Sequence, residues 1–236
     1  KVMRNITIVT TFATVFTVAS SVHANDLELF GNHTFVGDTD GNIKITNGTL
    51  TVEGQIDGNI EQYGEGSVII RDGASVDGNI KEFGSGDVIQ AGNLDGNIEE
   101  EGDGSITVSP TSNSSLDGKI REKGDGGVIV KGSYDGVILE EGSGSITIEE
   151  GASSDGDVIE KDSGDVMVRG EIGGNVEESS DGNVIITGGT VYGNVFEKDD
   201  GNVITTVDGI LYGEVTENDD GTVINNGLVY GNTFED

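Results

Sequence analysis

The chain has no cysteine, one proline (Pro110) and two histidines, and its 12 Lys+Arg stand against 44 Asp+Glu, a formal charge of −32. Without cysteine there is no disulfide framework, so an exported chain of this size must rely on its core. One proline beside 40 glycines excludes collagen and stiff Pro-rich linkers and indicates many tight turns. The shortage of basic residues excludes a nucleic-acid or anionic-lipid surface, because so acidic a chain repels both while attracting cations. High acidity with few aromatics also marks disordered chains. Here Val and Ile recur in register, which a disordered chain has no reason to maintain.

Long apolar runs are missing beyond the amino terminus. Met3-Arg4, the apolar residues 6–18 and the small-x-small site Val22-His23-Ala24 read as a secretory leader over residues 1–24, too short and wrongly flanked for a membrane span. Lys1-Val2 before Met3 suggests a mis-called start or a fragment. Removing the leader takes Lys1 and Arg4 and no acid, so the mature chain, beginning near Asn25, is more acidic still. No transmembrane segment follows. The expected location is extracellular or at the cell surface, with the periplasm as the other exported compartment.

What is present is a repeated phrase. Val76-Asp77-Gly78-Asn79-Ile80 reads apolar, polar, Gly, polar, apolar, and the phrase returns around Gly58, Gly96, Gly118, Gly136, Gly156, Gly174, Gly193, Gly213 and Gly231 at spacings of 18 to 22 residues, with a partial copy at Gly41. Self-similarity near 20 residues is the mark of a solenoid, whose repeats bury their apolar faces only by stacking. Each repeat also holds a Gly-x-apolar-x-apolar piece, as at Val68/Ile70, Ile106/Val108, Val128/Val130, Ile146/Ile148, Val166/Val168 and Val184/Ile186. Its period of two and its Val, Ile and Thr content predict a strand with one buried face. The phrase itself is taken as a second extended piece, its Gly letting a neighbouring layer come close. Signals such as Gly84-Ser85-Gly86, Gly142-Ser143-Gly144 and Asp200-Gly201 mark tight corners between the pieces.

An antiparallel meander with Asp-Gly hairpins also fits this local pattern. Parallel stacking is preferred because equivalent positions hold the same residue type repeat after repeat. The prediction is therefore all-β: a single-stranded parallel β-helix (β-solenoid) of about ten coils over residues 41–236, with a short N-terminal cap over residues 25–40 around Leu27, Leu29, Phe30 and Phe35. The segment from Ser109 to Ser115 reads as a loop at one corner. The sequence stops inside a repeat, so an open last coil that pairs with another molecule is one expectation and a truncated record the other.

Stacking converts each repeat position into a row. One row is acidic: Glu82, Glu100, Glu122, Glu140, Glu160, Glu178, Glu197 and Glu217, continuing to Glu235. Unit charges about 5 Å apart repel by about 1 kcal/mol in water and more near a low-dielectric surface. A divalent-ion site, Ca²⁺ first because it takes many oxygens in flexible geometry, is one reading, with turn acids such as Asp103, Asp125, Asp199 and Asp219 assisting. A solvated corner with Glu splayed outward is the other. The nonapeptide Gly-Gly-x-Gly-x-Asp calcium repeat is absent. No cofactor is required.

A second row is outward Asp, from Asp57, Asp77, Asp95, Asp117, Asp135 and Asp155, which becomes Tyr192, Tyr212 and Tyr230. Phe196 and Phe234 are placed on the same face by alternation. Such a stripe suits sugar rings or a partner protein, or shields the end of the sheet. A third row, Ile69, Ile89, Thr107, Ile129, Thr147, Met167, Ile185, Ile204 and Ile224, falls outside by alternation. It suits lateral association or simply follows β-propensity. No regular Thr-x-Thr column exists, which argues against an ice-binding face.

The phrase, together with Ser67-Val68-Ile69-Ile70-Arg71-Asp72-Gly73-Ala74, resembles the repeats of bactofilins, polymer-forming bacterial β-helices. With Gly-Asp-Val and Gly-Ser-Ile strand starts at Gly86, Gly104, Gly144 and Gly164, it is also similar to the β-helical head domains of bacterial adhesins. The resemblance implies a right-handed parallel β-helix that stacks end to end, and it supplies no catalytic residue. A polysaccharide lyase or hydrolase would need an acid/base pair or a cation beside a basic group. Arg71, Arg121 and Arg169 are far apart in the repeat series, and His23 and His33 lie in the leader and the cap. The expectation is a non-enzymatic, secreted structural or adhesive protein acting by self-association, end to end or lateral, or by binding surface polysaccharide or matrix, with cations modulating it. A carbohydrate-binding β-helix is the alternative.

Overall fold

The computed structural model describes residues 6–8, 16–19, 26–109 and 115–235. The chain divides into two units, Lys1–Gly118 and Lys119–Asp236. Each is a parallel β-solenoid, and together they make about eleven coils. Every described strand pairing is parallel, and no helix occurs among the described residues. Among those residues no helix is long and apolar enough to cross a membrane.

A coil places three short strands on three faces. In the first unit one coil runs through Ile60–Tyr63 on the first face, Val68–Ile70 on the second and Ser75–Asp77 on the third, then returns to the first face at Ile80–Glu82. In the second unit an equivalent coil uses Val158–Glu160, Val166–Val168 and Glu171–Ile172. Strands of the first two faces alternate buried, half-buried, buried. Most inward residues are Val, Ile and Leu, with Ile60, Val68, Val76 and Ile80 wholly buried. Each such side chain contributes about 1.5–3 kcal/mol by leaving water, and parallel register stacks like upon like, as in Val68 on Val88 and Val166 on Val184.

The structure changes the reading of the repeated phrase. It is a corner, not one extended piece: Val76 ends the third face and Ile80 opens the first. Both point inward because the chain bends between them. Gly78 makes the bend at φ +153°, and a Cβ there would collide with the carbonyl oxygen of Gly58. The close approach expected of this glycine is therefore to backbone of the adjacent coil.

Residues 26–40, expected as a cap, have the layout of a coil. Leu27–Phe30, His33–Val36 and Asp38–Thr39 pair in register with Ile43–Thr46, Leu50–Val52 and Gln55–Asp57, and Leu27, Leu29 and Phe35 are buried. Two segments of the expected leader, Ile6–Ile8 and Phe16–Ala19, carry these faces further as backbone strands. The rest of the leader lies outside the described residues, as does most of the expected corner loop at 109–115.

Candidate functional site

The acidic row ends each first-face strand. Within the first unit Glu82 pairs with Glu100, and within the second Glu122, Glu140, Glu160, Glu178, Glu197 and Glu217 follow one another in register. The in-register column is as the spacing predicts. Its direction is not: every one of these side chains is 0–1% exposed. They point into the core, so the solvated-corner reading is corrected. The parity of the strand accounts for this, since Ile80 faces inward and Glu82 is two residues later.

One carboxylate oxygen of each from Glu82 through Glu197 does a defined local job. Backbone N–H groups of the corner that follows donate to it: Gly84 to Glu82 at 2.9 Å, Gly102 to Glu100 at 2.8 Å, Gly124 to Glu122 at 2.7 Å, Gly142 to Glu140 at 2.9 Å, and Asp162 to Glu160 at 2.9 Å. Ser180 and Asp199 do the same for Glu178 and Glu197, at 3.0 and 3.1 Å. A second N–H, four residues on, reaches Glu140 from Gly144 and Glu178 from Gly182, at 3.2 and 3.3 Å. Glutamate is long enough to fold back from the strand end and hold the corner closed.

The other oxygen is the unusual one. Oε2 of Glu140, Glu160, Glu178 and Glu197 is buried with no N–H or O–H donor, a costly state for a charged group. The carboxyls of Glu140 and Glu178 lie within hydrogen-bonding reach of Glu160. Burial, and then the Glu100 side chain within hydrogen-bonding reach, push Glu82 from an ordinary 4.5 up to about 8, against the opposing pull of the Gly84 N–H. Burial first, then the neighbouring glutamates, raise Glu160; burial first also raises Glu197. No Lys or Arg is buried among the described residues. One coil before Glu82 the same position is Gln62, equally buried, and before that Ile45 and Leu29. The position accepts uncharged side chains.

The turn acids stand apart from this column. Asp181, Asp199 and Asp200 are exposed and bring one carboxylate oxygen each within 4.8 Å of the others. Of the three, only Asp199 is among the turn acids singled out from the sequence. These are the described residues whose spacing suits a cation.

The tyrosine row is as the spacing predicts. Tyr192, Tyr212 and Tyr230 are 51, 47 and 64% exposed, and their rings stack nearly parallel at centroid distances of 5.2 and 5.0 Å. Tyr212 therefore has both faces covered by its neighbours. Phe196 and Phe234 do not join the row, contrary to the alternation argument: they sit on first-face strands and are separated in register by Thr216. The bend at Gly193 restarts the alternation. The outward Asp residues Asp57, Asp77 and Asp95 are exposed and in register. The aliphatic row of the second face, Ile129, Thr147, Met167, Ile185, Ile204 and Ile224, is directly stacked within the second unit, half-buried from Ile129 to Ile204 and exposed at Ile224.

Two features of the first unit were missed at the level of sequence. Asn42, Asn59, Asn79 and Asn97 form an amide ladder at the third corner. Each Oδ1 accepts the next asparagine's backbone N–H at 2.8–3.0 Å and its side-chain N–H at 2.9–3.2 Å. The recurring Asp-Gly-Asn was its visible signal. On the outward side of the first face, Glu28, Lys44, Glu61, Lys81 and Glu99 alternate in charge through consecutive coils, and Lys81 and Glu99 are 2.8 Å apart. In the second unit Glu141 is clasped by Arg121 and by Lys161 at 3.0 Å. Burial alone would raise its carboxyl, but the two cations outweigh it and hold it below the usual range.

Comparison of the chain with protein-family models, with curated proteins and with solved structures finds no match.

Proposed function

We propose that this chain is an exported, non-enzymatic structural or adhesive β-solenoid that works through its outer faces, chiefly by lateral association with its own copies. The observation that carries the reading is the aliphatic row of the second face. Met167, Ile185 and Ile204 stand one above another on a parallel sheet with their side chains half in water. Contiguous apolar surface of this kind is ordinarily covered in use, and a regular sheet face suits a second copy of itself. The bactofilin- and adhesin-like repeat phrase points the same way.

Sedimentation velocity over a range of concentrations tests this. Wild type is expected to self-associate, and the double change Met167→Lys with Ile185→Lys, which touches no core position, should abolish it. A strict monomer at all concentrations, with Ca²⁺ and with chelator, defeats the proposal. Association seen only with Ca²⁺ assigns the contact to cation bridging instead of the aliphatic row.

The exposed tyrosines favour a second reading, binding of surface polysaccharide. Because both faces of Tyr212 are occupied by its neighbours, a glycan would meet ring edges and hydroxyls there. Glycan binding that survives Tyr212→Ala and Tyr230→Ala excludes this row.

A further inference from the structure

Eight buried glutamates, with no buried cation among the described residues, are a chemical contradiction if all are ionised. The idealised cost of bringing one carboxylate into an apolar interior is of order 20 kcal/mol, and several kcal/mol remain after relaxation. Backbone N–H groups relieve one oxygen of Glu82, Glu140, Glu160, Glu178 and Glu197, but not the second oxygens of Glu140, Glu160, Glu178 and Glu197.

The groups facing the column offer no positive charge. Within each unit the column neighbours of these glutamates are other glutamates, or Gln62 in the case of Glu82. The second face contributes Ile146, Ile148, Val166 and Val168 to the interior of the second unit, and Val88 with Gln90 to the first. The third face contributes Tyr134, Ser154 and Ile172, or Val76 and Leu94. The corners of the second unit add exposed acids, Asp162, Asp181, Asp199 and Asp219 among them, and the lysines Lys123, Lys161 and Lys198, none of which is buried. Of the bases next to column members along the chain, Lys81, Arg121, Lys161 and Lys198 lie on the outer side and are engaged with Glu99, Glu141, Glu141 and Glu177 in turn. The other buried ionisable side chains among the described residues are His33 and Tyr134.

We propose that the glutamate column holds protons, carboxyl hydrogen-bonded to carboxylate from one coil to the next, so that formation of the acid-bearing coils takes up protons from neutral solution. A proton is the donor the second oxygens lack, and it fits without opening the core. It also explains why Gln62, the neutral amide isostere of a protonated glutamate, occupies the same buried position. In an unfolded chain Glu82 titrates near 4.5 and is ionised at neutral pH. A raised native value gives stability that is complete below 4.5 and is lost as pH climbs to the native value; for Glu82 that window runs from 4.5 to about 8. The column makes the protein acid-stable and alkali-sensitive, the reverse of the usual salt-bridged carboxylate.

The chain suits the test. With no cysteine and two histidines, little else titrates between pH 6 and 9. Thermal melts of the whole chain in chelator should show the melting temperature falling steadily from pH 5 to pH 9. Refolding from urea into weakly buffered solution at pH 7 should consume more than one proton per chain. The infrared carbonyl band of buried COOH should persist at pH 8. Glu160→Gln should fold, raise the melting temperature at pH 9, flatten its pH dependence and reduce the proton uptake; Glu82→Gln is the second variant should the first fail to fold. A melting temperature flat across this range, absence of the COOH band, or recovery of pH 9 stability on adding Ca²⁺ overturns the proposal, the last by showing a column held by cations.

Discussion

At Gly78 the backbone adopts φ +153°, and the space a Cβ would need is filled by the carbonyl of Gly58. Relief would require parting two coils that are hydrogen-bonded on three faces. Gly78→Ala is therefore expected to cost about 3 kcal/mol, combining backbone strain with overpacking. The midpoint of urea unfolding measures it; a loss under about 1 kcal/mol would mean that the corner is soft. The same scale explains why the glutamates are where they are. Alternation from Ile80 places Glu82 inside, yet a carboxylate is ordinarily a surface group. The sequence reading let residue type override parity. Both the column and its members were legible from spacing alone. Its burial was equally present in the pattern, but the chemistry that makes burial tolerable, backbone N–H capping and carboxyl neighbours one coil away, exists only once the coils are stacked.

Between strands, the corners carry the specificity. The repeated phrase was legible as a unit, and parallel stacking followed from like residues recurring at like positions. The bend at its glycine was not, because apolar residues four apart fit a straight strand as well as two strands meeting at an angle. That one unread bend misplaced Phe196 and Phe234 relative to Tyr192 and Tyr230. The asparagine ladder belongs to the same corner. The Asn79 side chain accepts two hydrogen bonds from Asn97 and donates one to Asn59, linking three coils. Asn79→Ala should lower stability by about 1 kcal/mol, since water replaces part of what is lost at an exposed site. Urea melts measure it, and Asn79→Asp, which restores the acceptor for the Asn97 backbone N–H, should recover part of the loss. No recovery with Asp would show that the side-chain amide, and not the acceptor, holds the corner.

For the molecule as a whole the governing quantity is charge. A formal −32 opposes any contact between copies, while the aliphatic row of the second face favours it. Salt screens the first and leaves the second intact, since the Debye length shrinks from about 10 Å at 0.1 M to about 3 Å at 1 M. Self-association should therefore strengthen with added NaCl, by about tenfold or more in the association constant from 0.05 to 0.5 M, as read by sedimentation. Weakening with salt would mean that ion pairs hold copies together.

The alternating row Glu28, Lys44, Glu61, Lys81, Glu99 guards against an error special to repetitive chains. Looping out one whole repeat keeps most interior columns matched, because aliphatic meets aliphatic either way, so the core cannot tell that a member was skipped. The outside can: a skipped repeat sets Glu28 against Glu61, or Lys44 against Lys81. Odd and even repeats are thus distinguishable by sign alone, and the correct tally of coils in that unit is enforced by repulsion rather than by fit.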